Sequence, residues 1–396
     1  MVTPYRILTI NKISSQGLGR FPPERYQVSA QMTDPDAILV RSQAMHDMEI
    51  PASVKAIARA GAGTNNVPVA KMSARGIPVF NAAGANANAV KELVVAGMLL
   101  AARNIVPALQ FVAGLEGDDE ALHKQVEDGK KHYAGIELRG RTLGVIGLGA
   151  IGRLVADVAL KLGMHVYGFD PEITVEGAWS LSSEVKKAQS VEELLRHSDF
   201  VTLHVPLLPA TRGLINEQRV KAMKHGAVLL NFSRDAIVDS SAVLQGLESG
   251  HLHGYVCDFP AHDLQGKPGV LTLPHLGAST EEAEENCAVM VVEEVREYLE
   301  HGNITNSVNF PQLVMPRESA YRLGVANANV PNMLGQISTT LAAAGINIHT
   351  MMNKSRGEMA YTLVDTDSGV PDDLIAKISA IPGVLMVRNL PLADVQ

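Results

Sequence analysis

The sequence predicts an α/β protein of three parts: two parallel-sheet domains and a smaller βαββαβ module at the end. Three observations predict it. Short apolar segments alternate with helical ones through the first 279 residues, as βαβ units require. A glycine motif, Gly147-Leu148-Gly149-Ala150-Ile151-Gly152, joins a strand to a helix near the middle of the chain. From Ala320 the order becomes strand, helix, strand, strand, helix, strand. At 396 residues the chain is also too long for one ordinary core, so several domains are expected.

Residues 1–90 supply strand candidates at Ile7–Ile10, Ala37–Val40, Ala56–Ala58 and Val79–Phe80, separated by Asp34-Pro35, Gly61-Ala62-Gly63 and Gly76-Ile77-Pro78. They predict a second α/β domain of flavodoxin-like type. Ala87–Arg103 reads as a buried apolar helix joining it to a domain over 91–279. Within that domain Thr142–Ile146, His165–Phe169, Phe200–His204, Ala227–Phe232, Gly254–Asp258 and Val270–Leu273 are the strands. Asp239 is placed to cap a helix ending at Glu248 and Gly250, and Ser279-Thr280-Glu281-Glu282 opens another that runs to about Glu300 and returns to the first domain over 280–305. Residues 306–318, rich in Asn and Pro, read as a linker. The rest, 319–396, gives strands at Tyr321–Ala326, Ile346–Asn353, Glu358–Asp365 and Val384–Asn389 and helices at Met333–Ala344 and Asp372–Ala380, a ferredoxin-like split unit.

The stretch from Arg141 to Asp170 carries the strongest chemical signal. Its glycines suit a tight turn, close approach of backbone to a pyrophosphate, and close helix–strand packing. The helix that follows offers its first-turn amides and dipole to phosphates. An acid, Asp170, closes the next strand 18 residues after Gly152, where a ribose would lie. The stretch therefore predicts a Rossmann-type domain binding a dinucleotide. Composition bounds the partners. A net charge of −8 disfavours nucleic acid and anionic membranes, and no uncharged run approaches the roughly 20 residues of a membrane helix. Two cysteines, Cys257 and Cys287, make neither a disulfide framework nor a metal site, which fits the reducing cytoplasm, and no metal is expected.

Ligands of open α/β sheets bind beyond the carboxyl ends of strands. Arg234 follows the strand AVLLNFS, where its guanidinium suits a carboxylate or a polarised carbonyl. His275 follows LTLP, where a neutral imidazole can take a proton from an alcohol as hydride leaves. Asp258 and Asp263 lie between them, and either carboxylate can orient the imidazole.

With these residues in view, 1–310 closely resembles the D-2-hydroxyacid dehydrogenase family. GLGAIG with Asp170, HVPLLPATRGLI at 204–215, NFSRDAIVD at 231–239 and LPHLGAST at 273–280 carry the resemblance. It implies NAD as cofactor and a catalytic set of Arg234, Asp263 and His275. It places the cofactor against Gly147, Gly149, Ala150, Ile151, Gly152, Asp170, His204, Val205, Pro206, Thr211, Phe232, Ser233, Asp258 and His275. Two positions depart from the family pattern. Asp235 stands where Gly is usual, which implies a left-handed turn that Asp has to tolerate. Asp263 stands where Glu is usual and reaches about one methylene less, so its contact with His275 needs a shifted backbone or another partner.

The resemblance also narrows the substrate. IARAGAGTNNV at 57–67 resembles the family's substrate loop, with amides of Ala62 and Gly63 for a carboxylate, and Asn86 matches the asparagine before the interdomain helix. Arg41 and Arg59 match the arginines of members that act on 3-phosphoglycerate, so Arg41, Arg59, Ala62, Gly63, Asn86 and Arg234 are the expected substrate residues. The expected reaction is NAD-dependent oxidation of 3-phosphoglycerate at the start of serine synthesis. The rivals are a hydroxypyruvate or glyoxylate reductase and a non-enzymatic NAD-sensing protein on the same fold. The last 75 or so residues resemble an ACT domain, a small-ligand regulatory module. Asn329 and Asn347 match its amino-acid contacts, and Asn327 stands where a histidine is frequent. The two junctions carrying Asn329 and Asn347 are expected to lie near each other and to take L-serine between two copies of a homodimer or homotetramer.

Overall fold

The computed structural model describes residues 4–392. It divides into two compact units, one holding residues up to Asn86 together with those from Thr280 onward, the other Ala87–Ser279.

In the first unit, strands Tyr5–Ile10 (β1), Tyr26–Ser29 (β2), Ala37–Val40 (β3), Ala56–Arg59 (β4) and Val79–Asn81 (β5) form an all-parallel sheet in the order β2-β1-β3-β4-β5. Four of these were expected; β2, with its polar alternation, was not. The order is flavodoxin-like, as expected. β3 is buried along its whole length, which is why it reads as an unbroken apolar run.

The second unit holds Thr142–Ile146 (β6), His165–Phe169 (β7), Lys186–Lys187 (β8), Phe200–Leu203 (β9), Ala227–Asn231 (β10), Leu252–Cys257 (β11) and Val270–Thr272 (β12). They pair in parallel in the order β12-β11-β10-β9-β6-β7-β8, and the direction of winding reverses between β6 and β9. That reversal is the switch point at which a doubly wound sheet binds dinucleotides. The helix Ala87–Ala102 belongs wholly to this unit, because Val90, Val94 and Met98 pack into its core with Val228, Leu230 and Val256. The expected boundary at residue 90 therefore moves to 86.

The chain then returns to the first unit through the helix Glu281–His301, capped by Thr280 and ended by Gly302 in a left-handed conformation. Tyr321–Ala328 (β13), Ile348–Arg356 (β14), Met359–Thr366 (β15) and Val384–Asn389 (β16) complete an antiparallel sheet, order β14-β15-β13-β16, with helices Met333–Ala343 and Asp372–Ser379. One face of the sheet meets these helices through Leu323, Val325, Ile337, Leu341 and Leu374. The other face joins the core of the N-terminal sheet: Ala326, Tyr361 and Leu363 pack in one cluster with Val295, Tyr298 and Leu299.

The expected linker at 306–318 is corrected by this packing. Phe310, Leu313 and Met315 are buried, and Asn309 donates to Ile77 O while accepting from Val79 N. Two buried arginines fasten the same face. Arg322, 1% exposed, uses all five of its N–H groups, on both oxygens of Asp365 and on the carbonyls of His301, Met315 and Pro316. Arg388 donates to the carbonyls of Tyr298 and Leu299, at the end of a helix where cations are favoured. Among the described residues no single helix is long and apolar enough to cross a membrane.

Candidate active site

β6 ends at Ile146 and the chain turns at Gly147, whose φ of +92° is open to glycine; a Cβ there would also lie 2.4 Å from the His204 carbonyl oxygen. Gly152 is needed for packing, since its Cβ would stand 1.9 Å from Gly147 O. Gly149 differs from both: a Cβ there meets nothing within 4 Å. It is the N-cap of the helix Ala150–Lys161, and no side chain caps that end. The first-turn amides therefore face open space beside Gly149 and Ala150, which suits an anion. Gly152→Ala is expected to abolish NADH binding, read by cofactor fluorescence, because backbone rather than a side chain must yield.

Asp170 is held in place by amides, Leu148 N to Oδ2 at 2.8 Å and Glu172 N to Oδ1 at 2.9 Å. Its remaining lone pairs can accept from ribose hydroxyls. Thr211 knits the loop after β9, accepting from Leu208 N and donating to Pro206 O, and so shapes Val205 and Pro206. The His204 ring is engaged by Thr202 at Nε2, while its buried Nδ1 has no partner among the described residues. Burial pushes its pKa down to about 3, so the ring is neutral near pH 7. Phe232 is buried, and Ser233 donates to Leu203 O. The cradle fits a dinucleotide: open space at Gly149 and uncapped amides lie along the β6 turn and its helix, and the unpartnered His204 ring nitrogen follows the neighbouring strand β9.

Arg234, Asp258 and His275 follow the carboxyl ends of three neighbouring strands, β10, β11 and β12. Adjacent strands stand about 4.8 Å apart, so sheet geometry alone draws these positions together. Asn231 fixes the first, its Nδ2 donating to Arg234 O and its Oδ1 accepting from Ser233 N. The Arg234 side chain is exposed and one of its N–H groups reaches Ser233 O. Asp235 has no left-handed conformation, contrary to expectation; it opens a short 3₁₀ turn, Asp235–Ile237, which any residue can enter.

Asp258 is buried and accepts from Leu276 N at 2.7 Å and Gly277 N at 2.8 Å. It thus holds the turn that carries His275 rather than the imidazole. His275 itself has φ +57°, a left-handed conformation uncommon outside glycine, and its exposed ring meets Phe259 edge-on at 5.2 Å. Asp263 lies in an exposed turn, and among the described residues no hydrogen bond joins it to His275.

In the first unit, Val40 and Arg59 are register partners at the carboxyl ends of β3 and β4, which sets Arg41 beside Arg59. Arg59 Nε donates to Arg41 O at 3.0 Å. Arg41 in turn pairs with Glu284 from the returning helix, a residue that sequence reading missed because 243 positions separate the two. Asn81, at the end of β5, donates to Ala62 O, and Ala82 N donates to Gly61 O, so the loop at 61–63 is fastened from behind. Asn86 is half-buried at the unit's edge.

The C-terminal asparagines are not as expected. Asn329 N bonds Glu358 O at one end of β15, and Asp367 N bonds Asn347 O at the other. The eight residues of β15 separate them, roughly 25 Å at about 3.3 Å per residue. Within one copy they cannot share a ligand, because the two junctions fall at opposite ends of the strands of an antiparallel sheet. Asn327 is 1% exposed and its Nδ2 donates to Ala328 O, so burial removes it from any ligand set.

Comparison with known proteins agrees with this geometry. Residues 95–277 match the family described as D-isomer specific 2-hydroxyacid dehydrogenase, NAD binding domain. The chain is 35% identical over 340 residues to D-3-phosphoglycerate dehydrogenase of Haemophilus influenzae, covering 83% of this chain and 79% of that protein. It is 29% identical over 416 residues to D-3-phosphoglycerate dehydrogenase of Dictyostelium discoideum, covering 97% of each. Among solved structures, apo D-mandelate dehydrogenase of Rhodotorula graminis has the same fold, with a TM-score of 0.66 at 23% identity over 80% of this chain and 100% of that one. The chain belongs to the D-isomer specific 2-hydroxyacid dehydrogenase family, and its second unit is the NAD-binding domain.

Proposed function

We propose that the protein oxidises 3-phospho-D-glycerate to 3-phosphohydroxypyruvate with NAD, opening L-serine biosynthesis in the cytoplasm. The observation that carries this choice of substrate is the pair of arginines at adjacent strand ends, Arg41 and Arg59, tied to each other through a backbone carbonyl. Two neighbouring cations suit a phosphate dianion, and a reductase of unphosphorylated acids has no use for them. Amides of the fastened 61–63 loop take the substrate carboxylate, and Asn86 is assigned to the same substrate. Arg234 supplies a guanidinium for the carbonyl oxygen that develops at C2. His275 accepts the hydroxyl proton, and Asp263 is assigned as its orienting carboxylate because both oxygens of Asp258 are engaged by amides. When bound, NAD supplies the hydride acceptor for the alcohol carbon.

Arg59→Ala is expected to raise KM for 3-phosphohydroxypyruvate by about 10–100-fold, the loss typical of a charged hydrogen-bonded contact, and KM for hydroxypyruvate by less than about threefold. Steady-state rates with NADH on both acids check it. Equal losses on the two would leave the protein a general 2-hydroxyacid reductase.

The assembly belongs to the same proposal. The helix Ile105–Ala113 is apolar except for Gln110 and buries none of its residues, with Leu109 63% and Val112 57% exposed. Such a face is expected to be covered by a second copy, giving a homodimer or homotetramer. The C-terminal βαββαβ module is assigned as an ACT domain binding L-serine between copies. With Asn329 and Asn347 apart within one copy, a ligand touching both has to bridge two copies.

A further inference from the structure

Arg41 opens a short turn beyond β3, and the backbone of that turn is held by side chains from other segments. Asn11, just past the end of β1, accepts at Oδ1 from Ser42 N at 3.2 Å and Gln43 N at 2.8 Å. Asn66, three residues past Gly63, donates from Nδ2 to Gln43 O at 2.8 Å and to Arg41 O at 3.3 Å. The Arg41 carbonyl is the one that Arg59 Nε also meets, at 3.0 Å. The far end of Arg41 is oriented separately, by the carboxylate of Glu284.

Both asparagines are held in unfavourable local states. Asn11 has φ +68°, a left-handed conformation that Asn tolerates better than most residues. The Asn66 amide keeps Oδ1 buried with no hydrogen-bond partner among the described residues, while both contacts fall to Nδ2. An unpaired buried acceptor is unfavourable. Turned over, the same amide would set its oxygen against two carbonyl oxygens, so only this orientation serves the turn. Asn66 also belongs to the segment whose amides at Ala62 and Gly63 are assigned to the substrate carboxylate. That loop has a fastening of its own, Asn81 Nδ2 on Ala62 O and Ala82 N on Gly61 O. A backbone bond from Met45 N to Asn66 O at 2.8 Å survives any substitution at this position. Removing the Asn66 side chain therefore loosens the turn of Arg41 and leaves the carboxylate loop in place.

We propose that Asn66, together with Asn11, is a positioning residue that sets Arg41 for the substrate phosphate, and so fixes the preference for phosphorylated over unphosphorylated acids. The inference rests on the assignment of Arg41 and Arg59 to that phosphate. Neither asparagine is given a contact with substrate or cofactor; both act through the backbone of residues 41–43.

The test is steady-state kinetics with NADH on 3-phosphohydroxypyruvate and hydroxypyruvate, comparing Asn66→Ala, Asn11→Gly and Arg41→Ala in the full chain. Alanine brings no charge beside the arginines, and glycine keeps the left-handed backbone at position 11 while removing only the acceptor. Asn66→Ala is expected to raise KM for the phosphorylated acid about tenfold, the size of one or two neutral hydrogen bonds lost. Its kcat, and its KM for hydroxypyruvate, should change less than about threefold. Asn11→Gly should move the same KM in the same direction by about 2–5-fold. Position 11 is exposed, so this variant decides the matter should Asn66→Ala fail to fold. An unchanged ratio of the two KM values in either folded variant, or an equal loss on both acids, overturns the proposal. If Arg41→Ala raises KM selectively while the asparagine variants do not, the phosphate assignment stands and the positioning role is lost. If Arg41→Ala leaves the ratio unchanged, the assignment falls and the proposal falls with it.

Discussion

Replacing His275 with asparagine is expected to lower kcat by about 10²–10⁴, with little change in NADH affinity. Asparagine is the better test than alanine because it tolerates the left-handed backbone at φ +57° and leaves the turn intact. What it removes is the proton acceptor. That position is built with care: Asp258, buried, spends both oxygens on the amides of Leu276 and Gly277, and Phe259 meets the imidazole edge-on. A non-glycine residue held left-handed costs about 1–3 kcal/mol, which such a clamp can sustain. Arg234→Ala should behave differently, raising KM as well as lowering kcat, because a guanidinium contributes to binding before the reaction begins. The two variants are separated by steady-state kinetics beside cofactor fluorescence. A His275→Asn protein with near-normal turnover would remove the proton-transfer role from this residue.

Asp365→Leu is expected to destabilise the first unit by about 3–5 kcal/mol, read as a lowered urea midpoint. The Arg322 guanidinium would keep its three carbonyls but lose the carboxylate that meets it, both of its bonds to Asp365 being 2.9 Å or shorter in a fully buried place. The Arg322→Met, Asp365→Leu double variant should recover most of that loss, since it replaces the ion pair by apolar side chains of similar volume. If the double variant is no more stable than the single one, the carbonyl contacts of Arg322, rather than its charge, fix the C-terminal sheet in place.

The sequence exposed most where chemistry forces local geometry. The turn through Gly147, Gly149 and Gly152 is legible because each glycine answers a separate local constraint, and Asp170 follows at the end of the next strand. The places of Arg234 and His275 past two strand ends were legible because residues beyond the carboxyl ends of parallel strands fall on one edge of the sheet. Illegible were the features set by distant partners. Nothing near Arg41 announces Glu284, and nothing in the Asn- and Pro-rich run after residue 305 tells that Phe310 and Leu313 are buried against strands made far earlier in the chain. The sequence left Asp258 and Asp263 open as partners of the imidazole, because proximity along the chain does not tell that Asp258 serves the backbone amides of Leu276 and Gly277. Asn329 and Asn347 misled because a strand–helix–strand pattern says where junctions fall along the chain but not at which end of the sheet.

The division of the first unit has a consequence for how the protein is made. Its N-terminal sheet is finished on one face by Val291, Val292, Val295 and Tyr298, and then by Phe310, Leu313 and Tyr361. These residues leave the ribosome only after the whole of Ala87–Ser279 has been synthesised. At about 5–20 residues per second that intervening stretch takes roughly 10–40 s. The second unit, continuous in sequence, is free to close first, while the earliest strands of the nascent chain wait with an apolar face uncovered. In translation, the oldest part of the molecule is the last to mature.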